Sequence, residues 1–240
     1  MSKTVDFSTK LIIGGRPLPG SEGKTFETIN PANGKVLASI AEASGEDVNK
    51  AVSAARKAFE EGPWSKMAPA ERKKVLLRFA TVIEAHSEEL AMMEAMEAGK
   101  PITDCLEIDM PETVNTIRWH AEAIDKLYDQ ISPSDPSILS MIVREPMGVV
   151  AAILPWNFPA MMAAWKLGPI LATGNTVVLK PAEQTSLSTI RIGELAAEAG
   201  IPDGVINVVC GFGETVGKAL GEHPDLSLIH ISEPTRQDTI

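Results

Sequence analysis

The chain has 240 residues, 22% of them charged and 44% apolar, a balance that excludes wholesale disorder and suits one or two ordinary buried cores. Its 22 Lys and Arg against 32 Asp and Glu leave a formal net charge of -10, which argues against nucleic acid or an anionic membrane surface as the main partner. A bound phosphate stays compatible, because helix N-termini receive one without a basic surface.

Lys10–Gly14 and Thr25–Ile29 read as short strands. Asn30-Pro31-Ala32-Asn33-Gly34 reads as a turn and Val36–Ile40 as the return strand. Ser44 stands three residues before Asp47 in a capping-box spacing, and Val48, Ala51, Val52, Ala55 and Phe59 follow at helical intervals until Gly62-Pro63. Pro69 opens a second helix whose buried stripe is Val75, Leu76, Phe79, Val82 and Ile83. A third helix spans Glu88–Glu97 and stops at Gly99-Lys100-Pro101, with Met92, Met93 and Met96 as core filler. A further helical region covers Thr103–Leu127, kinked or restarted at Pro111, with Trp119, Ala123 and Leu127 on its apolar side. SPSDPS, residues 132–137, is a loop, and Ile138–Arg144 an extended excursion.

From Val149 the pattern changes. Val149–Leu154 is a continuous apolar run, as in a parallel strand covered on both faces. A helix over Pro159–Ala172, a strand over Thr176–Leu179 ending at Lys180, a helix over Leu187–Ala199 closed by Gly200, a strand over Val205–Val209 and a helix from Glu214 follow. The expected fold class is α/β, an incomplete doubly wound parallel sheet with N-terminal helices and strands, the architecture suited to dinucleotides.

The start of the chain lacks a secretory leader pattern, and its apolar runs are too short to cross a bilayer, so the expected location is cytoplasmic with no membrane partner. Cys105, Cys210 and four scattered histidines give no disulfide framework and no metal-ligand spacing; no metal is expected. Both thiols read as inert apolar fillers.

Asn157, in Pro155-Trp156-Asn157-Phe158-Pro159, is an amide held between prolines just past a strand's carboxyl end. It can aim at an oxygen that gains negative charge, or it can cap the next helix. Glu183 follows the second strand, where dinucleotide folds place an acid on the adenosine ribose, and Lys180 can donate to the same hydroxyls; a surface ion pair is the other reading. The usual glycine fingerprint is missing after the first strand, and Gly213 and Gly217 come after the third instead.

Three segments in order, Pro155–Pro159, Lys180–Thr185 and Gly211–Gly217, resemble the aldehyde dehydrogenase superfamily. Ile142–Gly148, Trp165–Pro169 and Asp203–Gly213 are similar to the bacterial gamma-glutamyl-gamma-aminobutyraldehyde dehydrogenases of putrescine breakdown. The resemblance covers about Leu11–Pro224. It implies NAD(P)-dependent oxidation of an aldehyde, an amino-aldehyde in this subgroup, with Asn157 as oxyanion donor. It implies a cofactor site of Ile153, Leu154, Pro155, Trp156, Asn157, Lys180, Ala182, Glu183, Gly213 and Gly217, with NAD expected over NADP. It also implies a homodimer or homotetramer, with Ile138–Arg144 as a pairing strand.

The implied organisation is 1–131 as the N-terminal part of the cofactor-binding domain and 132–148 as a linker and oligomerisation strand. Residues 149–224 are then a partial Rossmann-like core and 225–240 a non-family tail. Past Pro224 the family's Phe-Thr-Gly-Ser segment, general-base glutamate and nucleophilic cysteine are expected and not found. Leu226–Arg236 is instead similar to a frame translation of a transposon-type sequencing adapter, with a divergent strand at Leu228–Ile231 as the other reading. On the read-through expectation this chain has no aldehyde oxidation activity by itself and tends to aggregate. The different-class alternative is a non-catalytic nucleotide-binding or interaction module built on the same half-fold.

Overall fold

The computed structural model describes residues 7–232. Its main sheet has six strands in the order β10-β7-β8-β9-β1-β2. The centre is parallel: β7 (Val149–Ile153), β8 (Thr176–Lys180), β9 (Ile206–Val208) and β10 (Leu228–Ile231) run the same way, with Ile153 opposite Lys180 and Leu179 opposite Val208. β1 (Leu11–Ile13) closes the far side antiparallel to β9, and β2 (Arg16–Leu18) pairs with β1. Two ribbons stand apart: β3 (Thr25–Asn30) with β4 (Lys35–Ala41), and β5 (Gln130–Ser132) with β6 (Ser140–Ile142).

The helices are α1 (Gly45–Glu60), α2 (Pro69–Ala85), α3 (Ser87–Ala98), α4 (Ile102–Asp104), α5 (Met110–Ala123), α6 (Pro159–Ala172), α7 (Leu187–Glu198) and α8 (Lys218–Gly221). Parallel neighbours joined by right-handed crossovers put α6 and α7 on one face, and the reversed step from β9 to β10 puts α8 on the other. There α8 packs beside α1, whose Ala55 carbonyl accepts from Thr176 Oγ1 at 3.0 Å. α2, α3 and α5 form a second layer over α6 and α7. Val149–Ala152 and Val177–Leu179 are buried throughout, as strands covered on both sides must be.

Several expectations shift. The strand read as Lys10–Gly14 spans Leu11–Ile13 and turns back into β2, and the excursion after SPSDPS is one arm of a hairpin with β5. Of Met92, Met93 and Met96, only Met93 is fully buried, and Met92 is exposed. The Thr103–Leu127 region resumes as regular α-helix at Pro111, which sits in the first turn of α5. A π-turn over Cys105–Asp109 joins α4 to α5, and a 3-10 turn over Ile124–Lys126 ends the run. Its buried face is Met110, Val114, Ile117 and Ala121, so Trp119 and Leu127 lie exposed; of two apolar stripes, the one in phase with Ile124 faces α2 and α6. The helix read from Glu214 opens as a second π-turn, Gly213–Gly217. At Leu228–Ile231 the chain forms a strand in parallel register with β7.

The N-terminus of α1 shows how tightly local sequence is used. Ser44 and Asp47 form the reciprocal box, and Asp47 also accepts from Ser21 N at 3.0 Å and Ser21 Oγ at 2.9 Å, tying the segment before β3 to the helix. Burial would raise the Asp47 carboxyl, but its four hydrogen bonds from Ser44 and Ser21 outweigh it and hold the pKa below the ordinary 3.8. Replacing Asp47 by Ala is expected to lower stability by about 1–2 kcal/mol at neutral pH in urea unfolding. A lowered pKa stabilises only above the unfolded value, so the gap to the unaltered chain should shrink as the pH falls through 3.8 and below.

Candidate functional site

The strand order locates the site before any side chain is considered. From β7 the chain steps through β8 to β9 in one direction, then returns to lay β10 on the other side of β7. Loops leaving β7 and its new neighbour therefore diverge, and open α/β sheets bind ligands in the crevice at such a point, outside the carboxyl ends of the strands. Pro155–Phe158 is the loop that leaves β7 there.

The three segments singled out in sequence converge at that end. Leu154 N donates to the Lys180 carbonyl at 2.9 Å, locking the first loop to the second. Lys180 is almost wholly buried; its Nζ donates to the Pro181 carbonyl at 2.9 Å and lies 3.7 Å from Glu183 Oε2. Burial lowers the Lys180 pKa, and Glu183 opposes the shift. A Cβ on Gly217 would stand 3.9 Å from the Lys180 side chain, so the third segment reaches the second, while a Cβ on Gly213 would meet only open space. Ala182 is buried, Glu183 half-buried and Trp156 half-exposed. Ile153 is half-buried, and Leu154 and Pro155 are buried against the sheet end. Asn157 is partly buried, and Phe158, not Asn157, takes the N-cap position of α6.

Neither thiol is reactive here. Burial pushes Cys210 up to about 12, against a lowering pull from Lys180, and it pushes Cys105 up to about 12 with the carboxylates of Glu94 and Asp109 adding to the effect.

Buried charged groups behind these loops escaped the sequence reading. Glu97 on α3 accepts from Leu187 N at 2.7 Å, Ser188 N at 3.1 Å and Ser188 Oγ, so it caps the N-terminus of α7 from another element. Burial raises its carboxyl to about 7 against the pull of those three donors. One turn back, Glu94 Oε2 accepts from Ala160 N at 3.4 Å, in the first turn of α6. Lys100 pairs with Glu94 and with Asp109, and its Nζ sits 3.9 Å from the centroid of the Phe158 ring. Glu94, Cys105 and Asp109 offer donor atoms within 4.8 Å of one another, and the ammonium of Lys100 supplies positive charge there. On α6, Lys166 is buried with its Nζ 3.2 Å from His230 Nε2 of β10, and burial lowers its pKa. The legible signal was an acid on an apolar stripe: Glu94 and Glu97 follow Leu90 at i+4 and i+7.

A cleft of about 180 Å³ lined by Ile12, Pro17, Ala197, Ile201 and Pro202 lies at the amino end of β9, the opposite end of the strands. Among the described residues no helix is long and apolar enough to cross a membrane.

Glu97→Ala would strip both α7 N–H groups of their acceptor in a dry site. It is expected to lower stability by about 2–4 kcal/mol, read from the urea midpoint.

A model of the aldehyde dehydrogenase family matches residues 18–233. Aminoacetaldehyde dehydrogenase of Pseudomonas aeruginosa is 50% identical over 235 residues, covering 98% of this chain and 47% of that protein. The indole-3-acetaldehyde dehydrogenase of P. syringae, solved as a mutant with NAD+ and IAA, superposes with a TM-score of 0.94 at 48% identity, over 95% of this chain and 46% of the other. Gamma-glutamyl-gamma-aminobutyraldehyde dehydrogenase of Burkholderia cenocepacia J2315 gives 0.92 at 46% identity, over 94% and 46%. The likeness is thus no greater to the subgroup singled out in sequence than to a dehydrogenase of an indolic aldehyde, because the matched half is shared across the family. The chain spans about half the length of the curated relatives it matches. With the three loop segments, their convergence at the switch point and these matches together, the chain belongs to the aldehyde dehydrogenase family.

Proposed function

We propose that these residues form the nicotinamide-dinucleotide-binding half of an enzyme that oxidises an aldehyde to a carboxylic acid, with NAD preferred and an amino-aldehyde as substrate. The single observation that carries the reading is the convergence of Pro155–Asn157, Lys180–Glu183 and Gly213–Gly217 at one sheet end, beside the switch between β7 and β10. The residues present fit such a cofactor. Lys180 and Glu183 offer a donor and an acceptor to vicinal ribose hydroxyls, the carboxylate repels a 2′-phosphate, and Gly213 leaves space for a close approach.

NAD, when bound, supplies the hydride acceptor. Asn157 then donates its amide N–H to the aldehyde oxygen as a thiolate adds to the carbonyl carbon; a donor aimed at that developing charge is worth about 3 kcal/mol in the transition state. Ile153, Leu154, Pro155 and Trp156 wall the channel, Ala182 lets the ribose approach the strand end, and Gly217 keeps the Lys180 side chain uncrowded. The reaction needs a low-pKa thiol and a general base, and Cys105 and Cys210 are held far from that state. Those two groups belong, in this reading, to the half of the enzyme that the chain does not span.

The same reading assigns residues 1–131 and 149–224 to cofactor binding and 132–148 to subunit pairing. The β5–β6 hairpin supports it, because Ile131, Leu139, Met141 and Val143 stand exposed on a ribbon that a second subunit would cover. An amino-aldehyde substrate is supported by the likeness to aminoacetaldehyde dehydrogenase.

Calorimetric titration of the chain with NAD tests the cofactor site. Glu183→Ala is expected to weaken binding about tenfold, ~1.4 kcal/mol, and to weaken NADP binding less or improve it. Absence of NAD binding by the unaltered chain at millimolar cofactor would sink the reading.

A further inference from the structure

The loop that carries Asn157 has a weak start to its following helix. α6 begins with Pro159, which has no N–H, and its N-cap Phe158 makes no side-chain cap. Both gaps are filled from elsewhere. Glu94 of α3 reaches across to accept from Ala160 N, and Lys100, just past the end of α3, lays its ammonium against the Phe158 ring. The Asp109 carboxyl, at the last position of the π-turn, pairs with Lys100 and holds it there. On the strand side, Leu154 N is already bound to the Lys180 carbonyl. The turn is thus gripped at both ends, with Asn157 between the grips.

We propose that Glu94, Lys100 and Asp109 are a positioning set that fixes the Pro155–Pro159 turn and so aims the Asn157 amide. The proposal rests on the reading that Asn157 is the working donor, and it adds which residues direct it. The charges fit this role. Glu94 sits between the Asp109 carboxyl and the Lys100 ammonium, and its burial favours the protonated form. Burial and Asp109 raise the Glu94 carboxyl to about 8, Lys100 pulls it down, and Glu97 of its own helix pushes the same way as Asp109. Cys105 of the π-turn stays a neutral thiol. Ionising Glu94 adds a negative charge to this buried spot, and the grip on Ala160 and Phe158 must readjust.

The test is nitrogen–proton NMR of the full 240-residue chain, with the Asn157 side-chain amide assigned through Asn157→Asp. The probes are that amide, the Ala160 backbone amide and the Trp156 indole; the indole of fully buried Trp64 is the fold control. As the pH is raised through about 8, the Asn157 and Ala160 signals are expected to move together with one midpoint, and Glu94→Gln should abolish the movement. Lys100→Met should displace the Asn157 and Trp156 signals while the Trp64 indole stays, and Lys100→Arg should restore them. Asn157 signals unmoved by pH and by either variant, with Trp64 in place, overturn the proposal. If Lys100→Met fails to fold, the titration and Glu94→Gln decide alone. No cofactor or turnover enters these readouts, so a chain with the coupled titration that fails to bind NAD would overturn the function and leave the positioning set standing.

Discussion

Everything in this molecule follows from burying a parallel sheet on both faces. β7, β8 and β9 are too apolar to leave either face wet, and parallel neighbours can be joined only by crossovers that supply the covering helices. Right-handed crossovers then leave three loops at the same end of the sheet, and the return to β10 splits them apart beside β7. A binding crevice is a consequence of that winding. Asn157, Lys180 and Glu183 occupy places that the topology had already made accessible.

The second layer of helices does more than cover the first. α3 carries two carboxylates three residues apart, so both project from one face toward α6 and α7. Glu97 meets the N-terminus of α7, and Glu94 meets that of α6. Neither helix makes a side-chain cap from its own N-cap residue. One helix therefore sets the starting points of the two helices that follow β7 and β8, which are also where the first two loops of the crevice end. Packing and site geometry are coupled through backbone N–H groups and not through side-chain shape.

The sequence was most legible where periodicity and punctuation agree. The capping box of Ser44 and Asp47, the apolar run of β7, and the bounds of α6 between Pro159 and Gly174 all follow from local rules. β2 and β5 escaped because a strand of three residues is too short to show an alternation. Trp119 misleads because its size suggests burial, whereas the stripe through Met110 and Ile117 supplies the continuous face. The loop residues of the candidate site stood out through their setting between strand ends and prolines. Their supports did not, because Glu94, Lys100 and Asp109 come together only in three dimensions, and of the three only Glu94, on the Leu90 stripe, carries a mark in one.

The π-turn at Cys105–Asp109 gives that support an unusual dependence on chain length. Such a turn holds one residue more than the α-helical turn it replaces. Deleting any one residue from Cys105 to Ile108 would restore the regular ladder and swing the upstream segment by about 100° relative to α5. Asp109 would then lose its alignment with Lys100 although no chemical group at either position had changed. Counting keeps this charge in register, and point substitutions from Cys105 to Ile108 would be tolerated more readily than a single-codon gap there.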